Sequence, residues 1–194
     1  MQTAHRLTAA RAASTHASGP SARPAKLASM TTSLVGLRAT VITVSDRCAR
    51  GEREDLHGPI IVRELEALGI TATAVVVPDG AGVVEVAMRE AIGHGSRIVI
   101  STGGTGVSPR DLTPEGTSRV IDRELPGIAE RMREAGSAAS VAACLSRGIA
   151  GVTGGPQPAF VVNLPGSLGG VTDGLAVVLP LLPHLISQMD GGDH

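Results

Sequence analysis

The chain has 194 residues, 42% of them hydrophobic, and a formal net charge of −1: enough for one domain with a sizeable core, and no global pull toward nucleic acid or anionic membrane. Phe160 is the only Phe, and Tyr and Trp are absent, so Val, Ile, Leu and Ala must build the core and base stacking on aromatic platforms is nearly unavailable. Lys26 is the only lysine and no Gly-Lys-Ser/Thr loop exists, which excludes a P-loop NTPase and leaves backbone N–H groups, helix N-termini, Arg or a metal ion to hold any phosphate.

Residues 1–29 carry Arg6, Arg11, Arg23 and Lys26, no acidic residue, and many Ala and Ser. They lack the apolar core of a secretory signal; a transit peptide has this composition too, but they are expected to be a disordered extension, or to precede a working start at Met30, ahead of a single domain over 30–194. Cys48 and Cys144 are far apart and form no CxxC pair, as in a protein of the reducing cytoplasm, and the six His are too scattered to suggest a zinc site.

The first strand is expected over 39–45, a short β-branched apolar run. A polar loop follows, then a helix over 58–68 with Pro59 in its first turn and Gly69 just past its end. A second strand over 71–77 stops at Pro78-Asp79-Gly80. A helix over 83–92 leads to a third strand over 97–102 and to Gly103-Gly104-Thr105-Gly106. Thr113 is placed to cap a helix that begins at Pro114, with Glu115 at its positive end. Further helix is expected from Pro126, a weak strand over 148–152 and a strong one over 159–163. Leu164-Pro165-Gly166-Ser167 opens a last helix over 170–189, interrupted by Pro180 and Pro183 and, on that pattern, too short and too broken to span a membrane. Strands alternating with helices indicate an α/β protein with a parallel sheet.

In such sheets ligands bind beyond the carboxyl ends of the strands. Ser45-Asp46, Asp79, the segment 103–111 and the segment 163–167 all follow strands. The glycine loop would let N–H groups approach a phosphate closely, or simply make a tight turn. Asp79 alone reads as a turn residue; Asp111 follows the glycine loop and precedes a helix, where it could act chemically or support an Asx turn. Asn163 and Ser167 could bind ligand or cap the last helix. Arg147 could grip phosphate bidentately or lie solvated on the surface. His57 and His94 read as surface or capping residues.

With these residues in order, the sequence from about 39 to 191 resembles the molybdopterin adenylyltransferase family, which includes bacterial Mog and MoaB-like proteins and the G domains of gephyrin. The resemblance is carried by Gly103-Gly104-Thr105-Gly106-x-x-x-Arg110-Asp111-x-Thr113-Pro114-Glu115, with support from Val44-Ser45-Asp46, Gly58-Pro59, Pro78-Asp79, Leu145-Ser146-Arg147 and Asn163-Leu164-Pro165-Gly166-Ser167. It implies a three-layer α/β/α domain around a mostly parallel sheet, the molybdenum cofactor biosynthesis fold, assembled as a homotrimer. It also implies Mg-ATP-dependent adenylylation of molybdopterin, with pyrophosphate leaving. Asp79 and Asp111 match the family's essential aspartates, and as carboxylates suit Mg²⁺. The nucleotide and pterin pocket would comprise Ser45, Asp46, Gly103, Gly104, Thr105, Gly106, Arg110, Glu115, Ser146, Arg147, Asn163, Pro165, Gly166 and Ser167. Arg47, Arg110 or Arg147 would offset the remaining phosphate charge.

Three rivals differ in class. A molybdenum-insertion domain normally belongs to a larger chain and follows Gly-Gly-Thr with Ser rather than Gly106; such a protein is instead an expected downstream partner. A non-catalytic MoaB-like pterin-binding or scaffold protein is countered by the presence of both Asp79 and Asp111. Nucleic-acid binding is countered by charge and by the missing aromatics.

Overall fold

A computed structural model describes residues 34–192, so the expectations for 1–29 lie outside the described residues. In chain order the first half comprises β1 (Arg38–Val44), α1 (Asp46–Ala49), α2 (Gly58–Glu66), β2 (Thr71–Val77), α3 (Ala81–Gly93) and β3 (Ile98–Thr102). The second half comprises α4 (Thr113–Ser118), β4 (Arg123–Glu124), α5 (Pro126–Ser137), a 3-10 helix (Val141–Leu145), β5 (Ala150–Val152) and β6 (Phe160–Leu164). It closes with α6 (Leu168–Val178), a 3-10 turn (Leu179–Leu181) and α7 (Leu182–Met189).

The strands form one sheet in the order β2-β1-β3-β6-β5-β4. β2, β1, β3 and β6 are mutually parallel, whereas β5 and β4 run antiparallel to their neighbours. β3 and β6 are buried throughout, as strands covered on both faces must be, which is why they read as unbroken apolar runs. Successive side chains leave a strand on opposite faces. Ala39, Val41, Ile98, Ile100, Phe160 and Val162 enter a core closed by α2, α5, α6 and α7. Ile42, Val44, Val99 and Val161 enter a smaller core with Val84, Met88 and Ala91 of α3, beside which α4 packs. The three-layer α/β/α order and mostly parallel sheet are as the family resemblance implies.

Several local expectations change. The polar loop after β1 contains the single turn α1, whose N-cap Ser45 accepts from the Cys48 N–H at 3.3 Å. Thr113 does not cap α4: Leu112 holds the cap position, and the Thr113 hydroxyl instead donates to the Gly103 carbonyl at 2.9 Å. The segment Leu168–Met189 breaks at the 3-10 turn containing Pro180, because a proline has no N–H to give the preceding turn. It is not too short for a membrane, however: the segment runs 22 residues and contains an 18-residue window of mean hydropathy 1.4, the length and composition to cross one. Its inner face, Val171, Leu175, Val178, Leu182 and Ile186, lies in the larger core.

Candidate functional site

β1 lies between β2 and β3, so the chain leaves β1 on one side and returns by β3 on the other, and the carboxyl ends of these strands border a crevice. Two adjoining cavities open there. The larger, about 450 Å³, is lined by Gly104, Thr105, Gly106, Asp111, Ser146 and Ser167, backed by Met132, Arg133 and a run of Ala and Gly from α5 and beyond. The smaller, about 240 Å³, is more polar and is lined by Ser45, Asp46, Arg47, His57, Asp79 and Arg110. Gly104 and Gly166 border both, so the glycine loop and the Pro165-Gly166 turn form the wall between them.

The loop has a definite polarity. Gly103 and Gly104 take φ of +97° and +61°, the left-handed region open to glycine. A Cβ on Gly103 would stand 2.4 Å from the Val44 carbonyl oxygen. Every carbonyl of the loop is held by a donor behind it: Gly103 by the Thr113 hydroxyl at 2.9 Å, Gly104 by the Thr113 N–H at 3.1 Å, Thr105 by the Arg147 N–H at 2.8 Å, and Gly106 by Arg147 Nε at 2.7 Å. In a trans peptide the N–H of the next residue points opposite to the carbonyl. The N–H groups of Gly104, Thr105 and Gly106 are therefore turned away from this support, and among the described residues none has a hydrogen-bond partner. Consecutive free N–H groups of this kind make an anion-binding concavity.

Carboxylates flank the loop on both sides. Asp79 and Asp46 are interlocked: the Asp46 N–H donates to Asp79 Oδ2 at 3.0 Å, and the Asp79 N–H donates to Asp46 Oδ1 at 3.2 Å. Asp79 Oδ1 faces the loop, 3.5 Å from where a Gly104 Cβ would stand. Asp111 sits on the other side; its Oδ2 accepts from the Ser108 N–H at 2.9 Å and lies 2.8 Å from a Gly106 Cβ position. Asp79 and Asp111, expected to share one ion, thus line different cavities with the glycine loop between them, and the carboxylate tied to Asp79 is Asp46. No group of three or more His, Cys, Asp or Glu that could hold a metal ion occurs among the described residues. Arg110 and Arg50 approach Asp46 Oδ2 at 3.8 and 3.9 Å, and Arg110 is largely solvated and free to reach across the smaller cavity.

Three expected ligand residues lie behind the site instead. The Arg147 side chain is 38% exposed but fully engaged: besides Gly106 it donates to the Asp111 carbonyl and pairs with the Glu115 carboxylate. That hydrogen bond holds the Glu115 carboxyl below its ordinary value, so the pair stays charged at neutral pH and loosens only as pH falls below the usual carboxylate range. Neither residue lines either of these two cavities. Asn163 is fully buried on β6; its amide donates to Ser101 Oγ at 2.9 Å and Thr117 Oγ1 at 2.8 Å, and its oxygen accepts from the Ile149 N–H at 3.1 Å. Removing this side chain takes a buried partner from Ser101, Ile149 and Thr117, of which Thr117 keeps its bond to the Thr113 carbonyl, so Asn163→Ala is expected to destabilise the fold by about 2–4 kcal/mol, read as a lowered midpoint in urea at unchanged slope.

The remaining candidates do gather at the crevice. Ser167 lines the larger cavity while N-capping α6 through the Gly170 N–H at 3.2 Å. Ser146 lines the same cavity, its Oγ accepting from the Gly148 N–H at 3.4 Å. Sequence reasoning missed Arg133 and Asp173, which also line it; Arg133 donates to the Ser146 and Gly148 carbonyls at 3.4 Å. Nothing in their spacing separates them from solvated helix faces. Asp55 was missed too, though an Asp just before Gly58-Pro59 is a capping signal. It accepts from the His57 and Gly58 N–H groups at 3.0 Å and from the Thr43 hydroxyl at 2.7 Å. His57 itself makes no side-chain cap bond and lines the smaller cavity.

Residues 40–184 match the family model described as "Probable molybdopterin binding domain". The chain is 43% identical to a molybdenum cofactor biosynthesis bifunctional protein of Synechococcus elongatus over 84% of its own length, and spans about half of that relative, 51%. It is 39% identical to a molybdopterin adenylyltransferase of Pyrococcus furiosus, the match covering 76% of this chain and 88% of the relative. The structure superposes on that of the molybdopterin biosynthesis Mog protein from Mycobacterium ulcerans with a TM-score of 0.74 at 41% identity, covering 79% of this chain and 99% of the other.

Proposed function

From a chain that belongs to the molybdopterin-binding domain family of molybdenum cofactor biosynthesis, we propose an enzyme that transfers the adenylyl group of ATP to molybdopterin. The observation that carries this reading is the row of unpartnered N–H groups at Gly104, Thr105 and Gly106, standing in the wall between two cavities that each hold a carboxylate. Two anionic substrates can enter from the two sides and bring their phosphates together at that wall.

In the reaction a terminal phosphate oxygen of molybdopterin attacks the α-phosphorus of ATP, a new P–O bond forms, the bond to the β-phosphate oxygen breaks, and pyrophosphate leaves. Such a transfer needs positioning and charge neutralisation more than covalent assistance. The loop N–H groups supply fixed donors to non-bridging oxygens without reorganising, because their carbonyls are already anchored. Arg110, exposed at the rim of the smaller cavity, offsets phosphate charge. Asp111 orients the reacting groups from the larger cavity. The oxygen donors of Asp46 and Asp79 suit Mg²⁺, which binds through one or two carboxylates plus substrate phosphates. Bound there, the ion would neutralise phosphate charge. As the relative spanned by half is named bifunctional, we expect product to pass to a downstream protein that inserts molybdenum. We also retain a homotrimer as the assembly in which the site works.

The test is direct. Purified protein with Mg-ATP and molybdopterin is expected to release pyrophosphate and to form a pterin heavier by one adenylyl group, read by mass spectrometry. Tight pterin binding with no ATP-dependent pyrophosphate would make this a binding protein and refute the enzyme reading.

A further inference from the structure

We propose that Arg147 is a positioning residue that, with Glu115, builds the anion-binding loop from behind and touches no substrate. Its N–H and Nε hold the Thr105 and Gly106 carbonyls at 2.8 and 2.7 Å, and its terminal nitrogens hold the Asp111 carbonyl and the Glu115 carboxylate. One rigid guanidinium fork thereby fixes both the direction of the loop N–H groups and the backbone that carries the Asp111 carboxylate. On the far end of the loop the Thr113 hydroxyl and N–H do the same for Gly103 and Gly104, and Thr113 is in turn held through Thr117 to the buried Asn163 amide. Glu115 is the part that decides between two roles for the arginine. As a counter-ion it keeps the guanidinium turned onto the loop; if Arg147 were a phosphate ligand, the same carboxylate would be competing with substrate for it.

The two roles give effects of opposite sign. Inorganic pyrophosphate, without Mg²⁺, is titrated calorimetrically into the wild-type protein, Glu115→Gln, Arg147→Ala and the double variant. The positioning role predicts that both single variants bind about tenfold or more weakly and that the double variant is no worse than Arg147→Ala, since the lost bonds are charge-assisted. It also predicts that added guanidinium ion restores pyrophosphate binding to Arg147→Ala, and that methylammonium does not, because only a planar fork meets several acceptors at once. Glu115→Gln preserves shape, so it reports even if Arg147→Ala folds poorly. Tighter binding by Glu115→Gln, or unchanged binding in both single variants, would overturn the assignment. The inference rests on the loop binding substrate phosphate, yet the readout does not need turnover. A wild-type protein that binds pyrophosphate as predicted but fails to adenylylate molybdopterin removes the proposed reaction and leaves this role standing, whereas turnover with Glu115→Gln binding more tightly does the reverse.

Discussion

Asp111→Asn is expected to lower pyrophosphate release in the adenylylation assay by about 100-fold or more, the scale of removing one preorganised electrostatic group from a site where phosphates react. The substitution changes charge and almost nothing else. Asn keeps an oxygen for the Ser108 N–H that Asp111 Oδ2 now accepts, and no ion pair to the Asp111 carboxylate is present among the described residues. Arg147 grips this residue through its backbone carbonyl, so the clamp survives. Thermal unfolding should therefore stay within about 2 °C of the wild type, the shift expected of a surface-type change below about 0.5 kcal/mol. Turnover close to the wild type would take Asp111 out of the mechanism. Loss of both turnover and thermal stability would instead make it a structural residue. Asp79→Asn is a less clean probe, since Asp79 also ties β2 to the start of α1 through Asp46.

Gly103→Ala should do the larger damage to the fold. At φ of +97° an alanine is strained wherever it stands, and here its Cβ would lie 2.4 Å from the Val44 carbonyl oxygen. That oxygen belongs to the backbone of β1, a central strand paired on both sides, so it cannot yield as a flexible side chain would. Adding left-handed strain to an overpacked contact gives a loss of roughly 3 kcal/mol or more, or a fall in Tm of roughly 6–12 °C for a domain of this size. Gly95→Ala is the matched comparison: its φ of +88° is similar, but nothing lies within 4 Å of the added Cβ, so only the dihedral penalty of about 1–2 kcal/mol applies. Similar losses at the two positions would show that conformation alone, and not the close approach to β1, demands glycine in the loop. Pyrophosphate binding should fail in Gly103→Ala and persist in Gly95→Ala.

Residue pattern carried the architecture well where one force dominated. β1, β3 and β6 are apolar runs bounded by Gly, Pro or polar residues, and burial on both faces leaves such runs little alternative to central parallel strands. The helix that opens at Gly58-Pro59 and the break at Pro180 follow from proline's fixed φ and missing N–H, which act within a few residues. The two-residue β4 and the antiparallel course of β5 were not legible, because each has too few residues to show a period and is held only by its partner strand.

Unaided sequence determined that phosphate could be held here only by backbone, Arg or a metal, and that glycine and aspartate follow the strands whose ends make a crevice. It could not say which polar side chains face the ligand. Arg147, Glu115 and Asn163 sit in the same motifs as Asp111, Ser146 and Ser167, yet the tertiary structure engages the first three with other protein groups and leaves the last three lining the larger cavity. Proximity in space rather than in sequence likewise paired Asp79 with Asp46. Side-chain direction depends on partners tens of residues distant, at hydrogen-bond distances of about 3 Å that no local spacing encodes.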